Sequence, residues 1–398
     1  MKTKFFALAL ATSLFLNSCS SSDDDNNTVT PPATGEITGT ITANKTFAYG
    51  NYTLKGIVKI NDGVTVTFDA GSTITIDKAT GDNALVVLKG GKLITNGTAD
   101  KPVVFTEKSK VPGSWGGIIV YGNAPALIAG GLTTGTSEDG NKITYGGTNP
   151  TDNSGSLVYT RVEYAGSKLA DGNKENNGFT FYSVGSGTKL DHLVSYKGAD
   201  DGYEFFGGTV SLTNAISYGN TDDSFDWQDG WQGTANTNWY AYQTGKGNYG
   251  MEIEASANDN AFGPKVSNIT LKRATGTIPE LSDNQVDAFQ FKREGNGEYS
   301  NIVIDGYGNF TPPNSTTTYH GSVVSILDAA TNTHQVNTGK IKILNVKISN
   351  TTNVTPIAGI PDFTVTFPAG NFTTSATATG ASLTAGAWAT VDGVDLTK

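Results

Sequence analysis

The sequence predicts an all-β solenoid, a single-stranded parallel β-helix, on three observations. Short alternating runs such as Val58-Lys59-Ile60, Val64-Thr65-Val66-Thr67-Phe68 and Ser72-Thr73-Ile74-Thr75-Ile76 are punctuated by Gly and Asn-Asp-Gly turns, the pattern of half-buried strands. Sustained i, i+3, i+4 apolar spacing with caps is absent, which leaves few helices. Triplets with apolar ends recur as Phe179-Thr-Phe181, Tyr203-Glu-Phe205, Phe225-Asp-Trp227, Met251-Glu-Ile253 and Phe289-Gln-Phe291, at spacings of 24, 22, 26 and 38 residues. One coil per 22 to 26 residues, with equivalent positions stacked about 4.8 Å apart, accounts for that period, and the longer intervals take side loops. A propeller blade needs about 40 residues and four strands, which the shorter period disfavours.

The elements follow in chain order. Lys2 and Lys4 precede an apolar stretch over residues 5–16, and Leu16-Asn17-Ser18-Cys19 closes it, so residues 1–18 read as a signal peptide too short to span a membrane. The tetrapeptide resembles the lipobox of bacterial lipoproteins, which implies acylation of Cys19 and an anchor in membrane lipid. Residues 19–36 form an acidic, polar tether. Its Ser20-Ser21-Ser22-Asp23-Asp24-Asp25 resembles the tag that sends some lipoproteins to the outer leaflet of the outer membrane. The predicted β-helix domain covers residues 37–398. Its first coils lie over residues 54–106, and Gly113-Ser-Trp115-Gly-Gly-Ile118 continues them.

A second series, His192, Asn214, Asn238, Asn268 and Asn301, recurs at 22, 24, 30 and 33 residues beside Tyr196, Tyr218 and Tyr242. Asn stacked on Asn forms a side-chain amide ladder. His192, far in sequence from His320 and His334, reads as a member of that column rather than as a metal ligand or general base. Beyond Asn309 the chain is rich in Thr, Asn and Pro. It returns to strands at 340–344 and 363–367 and is expected to cap the open end of the coil.

Composition narrows the partners. A formal charge of −10, or −12 once Lys2 and Lys4 leave with the leader, repels a phosphate backbone, so nucleic acid is excluded as a partner. The lone Cys19 permits neither an internal disulfide nor a CxxC metal knuckle.

Most of the surplus charge lies in one window. Between residues 199 and 260 stand Asp200, Asp201, Glu204, Asp222, Asp223, Asp226, Asp229, Glu252, Glu254 and Asp259, against the single base Lys246. Strand alternation turns the middle residue of each triplet outward, which stacks Glu204 on Asp226 on Glu252; the same repeat superposes Asp200 with Asp222 and Asp201 with Asp223. Two such charges about 5 Å apart repel by about 3 kcal/mol at an effective dielectric of 20. A bound cation, a shared proton or full hydration relieves that cost.

Three readings of the window follow. Ca2+ takes six to eight oxygens in flexible geometry, and Asp200, Asp201, Asp222 and Asp223 are the candidate ligands. Carboxylates sharing a proton suit acid and base roles in glycoside cleavage, whereas a lyase needs a base, for which Lys292 and Arg293 on the next coil are nearest. Asp-Asp-Gly corners without any ligand are the third reading, since Asp suits turns. The window also holds Trp227, Trp231 and Trp239. Trp227 follows the inward pattern and reads as core, while Trp231 and Trp239, with Glu204, Asp226, Asp229 and Glu252, are the candidate glycan-binding residues.

Two segments carry a family resemblance, Gly198-Ala-Asp-Asp-Gly202-Tyr-Glu-Phe-Phe-Gly-Gly208 and Tyr218-Gly-Asn-Thr-Asp-Asp-Ser-Phe-Asp226. Over roughly residues 55–310 the chain resembles right-handed parallel β-helix proteins of the pectate-lyase-like superfamily, and more closely a group of bacterial surface lipoproteins that share those segments. The resemblance implies the fold and a surface location, and no particular activity. The expected protein is a lipid-anchored outer-membrane β-helix that binds glycan or another surface ligand through an acidic, Ca2+-dependent face. Polysaccharide cleavage at that face and a structural stalk or adhesin are the alternatives.

Overall fold

The computed structural model describes residues 31–168, 176–260, 263–279, 285–359 and 363–398. The leader, Cys19 and most of the tether fall within residues 1–30, outside the described residues. The first strand among the described residues is Ala33–Ile41, which includes the last residues of the expected tether.

The chain winds as a right-handed parallel β-helix with three faces. The first face stacks Ala84–Val87, Ile118–Tyr121, Phe179–Tyr182, Tyr203–Phe206, Phe225–Gln228, Met251–Ile253, Gln285–Phe291 and His320–Ile326 in parallel register. The triplets align as read from the sequence, with Phe179 opposite Tyr203, Tyr203 opposite Phe225, Phe225 opposite Met251 and Met251 opposite Phe289.

The other two faces are the halves of longer strands bent at one residue. In Lys189–Tyr196, Leu212–Tyr218, Asn236–Gln243, Lys265–Arg273 and Gly297–Asp305 the pairing skips His192, Asn214, Asn238, Asn268 and Asn301. Each of these has φ between 53° and 57°, the left-handed region that Asn tolerates better than most residues. In the earliest coils the two halves are separate strands. Gly155–Glu163 then joins them across Tyr159, at φ 47°, by pairing first with Lys92–Asn96 and then with Val103–Glu107. The expected column is therefore a column of corners. Its amide ladder exists in two rungs, Asn238 Nδ2 to Asn214 Oδ1 at 3.0 Å and Asn301 Nδ2 to Asn268 Oδ1 at 2.7 Å. His192 occupies its place in the column, its ring stacked on Tyr159 at 4.1 Å.

The core is an axial pile of rings. Phe179, Tyr203 and Phe225 stack at 5.2 Å intervals, and Phe181 lies 5.1 Å from Phe205. Two tryptophans continue the pile: Trp231 covers Phe205 and Trp239 covers Phe225, both at 4.4 Å. At the far end Ile341–Ser349 is a strand of the stack as expected, whereas residues 363–367 form none. Instead Phe363, Val365, Phe367 and Phe372 lie against the end of the core and cap it.

Candidate functional site

The outward middle residues of the triplets meet as the alternation requires. Glu204 stands directly opposite Asp226 and Asp226 opposite Glu252 on consecutive coils, with Thr180 before them and Gln290 after. Beside this row runs a second one at the corner where each coil enters the first face. Asp201 Oδ1 accepts the N–H of Asp223 at 2.9 Å, and Asp223 Oδ1 accepts the N–H of Tyr249 at 2.6 Å. Each aspartate thus ties its coil to the next with one oxygen.

The two rows converge into one groove. Carboxylate oxygens of Asp201, Glu204 and Asp226 lie within 4.8 Å of one another, and so do those of Asp223, Asp226 and Glu252. A further set joins Asp200, Asp201 and Asp222. Asp226 belongs to the first two sets, is only 8% exposed, and its Oδ1 finds no hydrogen-bond partner among the described residues.

A family model described as a pectate-lyase-like β-helix domain matches residues 39–391, nearly the whole described chain. The chain belongs to that family. No curated protein and no solved structure matches it.

In this pectate-lyase-like β-helix the electrostatics of the groove follow from burial. Loss of water, with the neighbouring acids next in weight, holds the carboxyls of Asp201, Asp223 and Asp226 well above the ordinary carboxylate range. Burial likewise pushes Glu204 up to about 8, against the N–H groups donated by Asn177 and, at 3.2 Å, by Gln228. Lys292 closes the row, its Nζ 2.6 Å from Glu252 Oε2 and 3.8 Å from Glu254 Oε2. Burial alone would lower Lys292, but Glu252 and Asp226 outweigh it and raise it, so this amine is a fixed cation and not the free base that a lyase needs.

Three of the expected ligand-binding residues are corrected. Asp229 is buried and belongs to none of the three carboxylate sets; it accepts the hydroxyls of Tyr145 and Ser256. Trp231 and Trp239 are 1% and 0% exposed, and their Nε1–H groups donate to the carbonyls of Val210 and Leu212 at 3.0 and 2.9 Å. A flat indole that completes the ring pile inside the coil buries more apolar area than one left on the surface, so neither is a glycan platform. Trp227 is core, as its alternation indicates. Of the candidate metal ligands, Asp200, Asp201 and Asp222 come together, and Asp223 joins Asp226 and Glu252 instead.

Asn177 is a member of the site that the reading of acids passes over. It is 2% exposed, its Nδ2 donates to Thr180 Oγ1 at 3.2 Å and to Glu204, and its Oδ1 has no hydrogen-bond partner among the described residues. The signal for it lies in the repeat. Asn177, Asp201 and Asp223 each stand two residues before their triplet, so extending the alignment back by two positions finds all three.

Proposed function

We propose that the chain is a lipoprotein anchored through acylated Cys19 in the outer membrane, whose β-helix binds a surface ligand through a divalent cation, Ca2+, held in the acidic groove. The observation that carries this reading is Asp226, a buried carboxylate with an unpartnered oxygen among other carboxylates. A buried charge without a partner is costly, and a cation relieves that cost. The donors are oxygens throughout, without His or Cys, and several lie within the reach of one ion, which favours a hard cation of flexible coordination over a transition metal.

The ligand follows from the same chemistry. With Trp231 and Trp239 inside the coil, recognition by stacking on those indoles is removed, and the groove without an ion repels anions. A bound cation reverses that sign locally and supplies a point of attachment for a carboxylate or hydroxyl pair of a glycan. Calorimetric titration of the soluble domain with Ca2+, then with acidic and neutral polysaccharides, tests the reading. Ca2+-dependent glycan heat that disappears in Asp226→Asn supports it, and no heat with any divalent ion overturns it.

A second reading, polysaccharide cleavage, is favoured by Glu204, an acid that burial pushes up to about 8 and whose carboxylate lies within 4.8 Å of those of Asp201 and Asp226, a clustering of carboxyls such as glycoside cleavage uses. New reducing ends released by the wild type and not by Glu204→Gln would establish it in place of binding alone.

A further inference from the structure

A solenoid is stabilised by contacts between neighbouring coils, so its ends can unravel one coil at a time unless something spans several coils at once. Residues 375–398 do so. After the strand Phe372–Thr374 the chain reverses and runs back along the outside of the helix, over the corner made by the left-handed residues. Ser375 N–H donates to the Val346 carbonyl at 2.9 Å, Thr379 N–H to Asn301 Oδ1 at 2.9 Å, and Ala381 N–H to Thr270 Oγ1 at 2.9 Å. Ser382 N–H then donates to Asn238 Oδ1 at 3.3 Å, and Trp388 N–H to the Ala99 carbonyl at 2.9 Å. As the segment advances, its partners step backward through the coils.

The two rungs of the amide ladder explain the fit. Asn238 and Asn301 each spend Nδ2 on the asparagine of the coil before, which leaves Oδ1 facing outward as an acceptor. Those two oxygens are the ones that receive the N–H groups of Ser382 and Thr379. The segment therefore completes the hydrogen bonding of the corner instead of lying loosely across it.

Its end is anchored by packing and charge. Trp388, 1% exposed, meets Tyr159 edge-on at 5.8 Å and His192 at 4.9 Å. Ala389, Val391 and Leu396 join Tyr164, Val194, Tyr196, Ile216 and Tyr240 in an apolar cluster separate from the ring pile. Arg161, its Nε held 2.6 Å from Glu163 Oε1, donates Nη1 to the carbonyls of Ala387 at 2.9 Å and Thr390 at 3.2 Å. A terminal hairpin, Thr390–Val391 with Val394–Asp395, turns at Asp392 and Gly393, both at positive φ, and Lys110 Nζ lies 2.7 Å from Asp392.

We propose that residues 375–398 are an intramolecular clasp that makes the coils from Gly155–Glu163 to Ile341–Ser349 open as one unit. Ends of a solenoid otherwise fray independently, and the clasp ties the last of these coils to the first, so neither leaves the stack before the segment detaches. The clasp lies on a different corner from the acidic groove and stands or falls separately from the cation reading.

Native-state hydrogen exchange of the full chain in low urea tests this without any substitution. The expected result is one common opening free energy for amides of Gly297–Asp305, Ile341–Ser349 and residues 375–398. Loop-like exchange of residues 375–398 while both strands stay protected would overturn it. Substitution adds a second reading: Arg161→Ala with Trp388→Ala should speed exchange in the Gly297–Asp305 and Ile341–Ser349 strands by about tenfold or more. Faster exchange confined to residues 159–163 and 387–391 counts against a clasp.

Discussion

Lys292 Nζ lies 2.6 Å from Glu252 Oε2, at the end of the row that begins with Glu204, so this amine neutralises the last member of the row and leaves Glu204 and Asp226 facing each other across a single coil step. Within that row burial is greatest at Asp226. Lys292→Met should therefore lower stability in chelator by on the order of 3 kcal/mol, because it removes one partner of a largely buried pair. Urea unfolding measures it, and Lys292→Met with Glu252→Gln should recover much of the loss; a double variant no better than the single would show that the pair is not the source.

The metal-free groove makes a signed prediction about pH. Burial raises Glu204 to about 8 in the folded chain from near 4.5 unfolded, with Glu138 and Glu252 adding to the rise and Asn177 and Gln228 opposing it. Between those values the folded state keeps a proton that the unfolded state has released. Its contribution to stability is fully present below about pH 4.5 and is lost as pH rises through about 8. Asp201, Asp223 and Asp226 shift in the same direction. In chelator the melting temperature should fall from pH 5 to pH 8.5, and millimolar Ca2+ should flatten that slope. A chelated protein whose stability is level across the window, with Glu204→Gln unchanged from wild type, would contradict the electrostatics of the groove.

Much of this arrangement is legible in the sequence because each coil imposes the same demand at the same position. Phe179, Tyr203 and Phe225 point inward and stack, so Glu204, Asp226 and Glu252 must meet outside. What fails is direction beyond the triplet. Trp231 lies in the connection after Phe225–Gln228, and Trp239 follows the left-handed Asn238, which resets the alternation, so spacing alone does not show that both rings turn inward. The course of residues 375–398 is illegible for another reason: their partners run from Val346 back to Ala99, and a segment laid across the repeat leaves no period of its own.

Burial of the two indoles makes them stability residues. Trp239→Ala should cost about 3–5 kcal/mol, the range for removing a large buried aromatic ring. Trp231→Phe, which keeps a ring over Phe205 but loses the Nε1–H bond to Val210, should cost less. Intrinsic fluorescence should show no quenching of these indoles by added glycan, and a Trp231→Phe protein that folds with lost glycan affinity would restore the platform role rejected above.

The asparagine corners separate backbone strain from amide pairing at a single position. Asn268 has φ 57°, receives Asn301 Nδ2 at 2.7 Å and donates to Thr237 Oγ1 at 3.0 Å. Asn268→Gly keeps the left-handed backbone and loses both amide bonds, whereas Asn268→Ala loses the same bonds and keeps a Cβ at positive φ without the polar side chain that lets Asn tolerate it, a cost of about 1 kcal/mol relative to glycine. Alanine should therefore be the more damaging of the two by roughly that amount, partly offset by glycine's greater freedom in the unfolded chain. Chemical denaturation of the pair decides between the two origins of this corner: a glycine variant as unstable as the alanine variant would mean that the amide bonds, and not the bend, select asparagine at position 268.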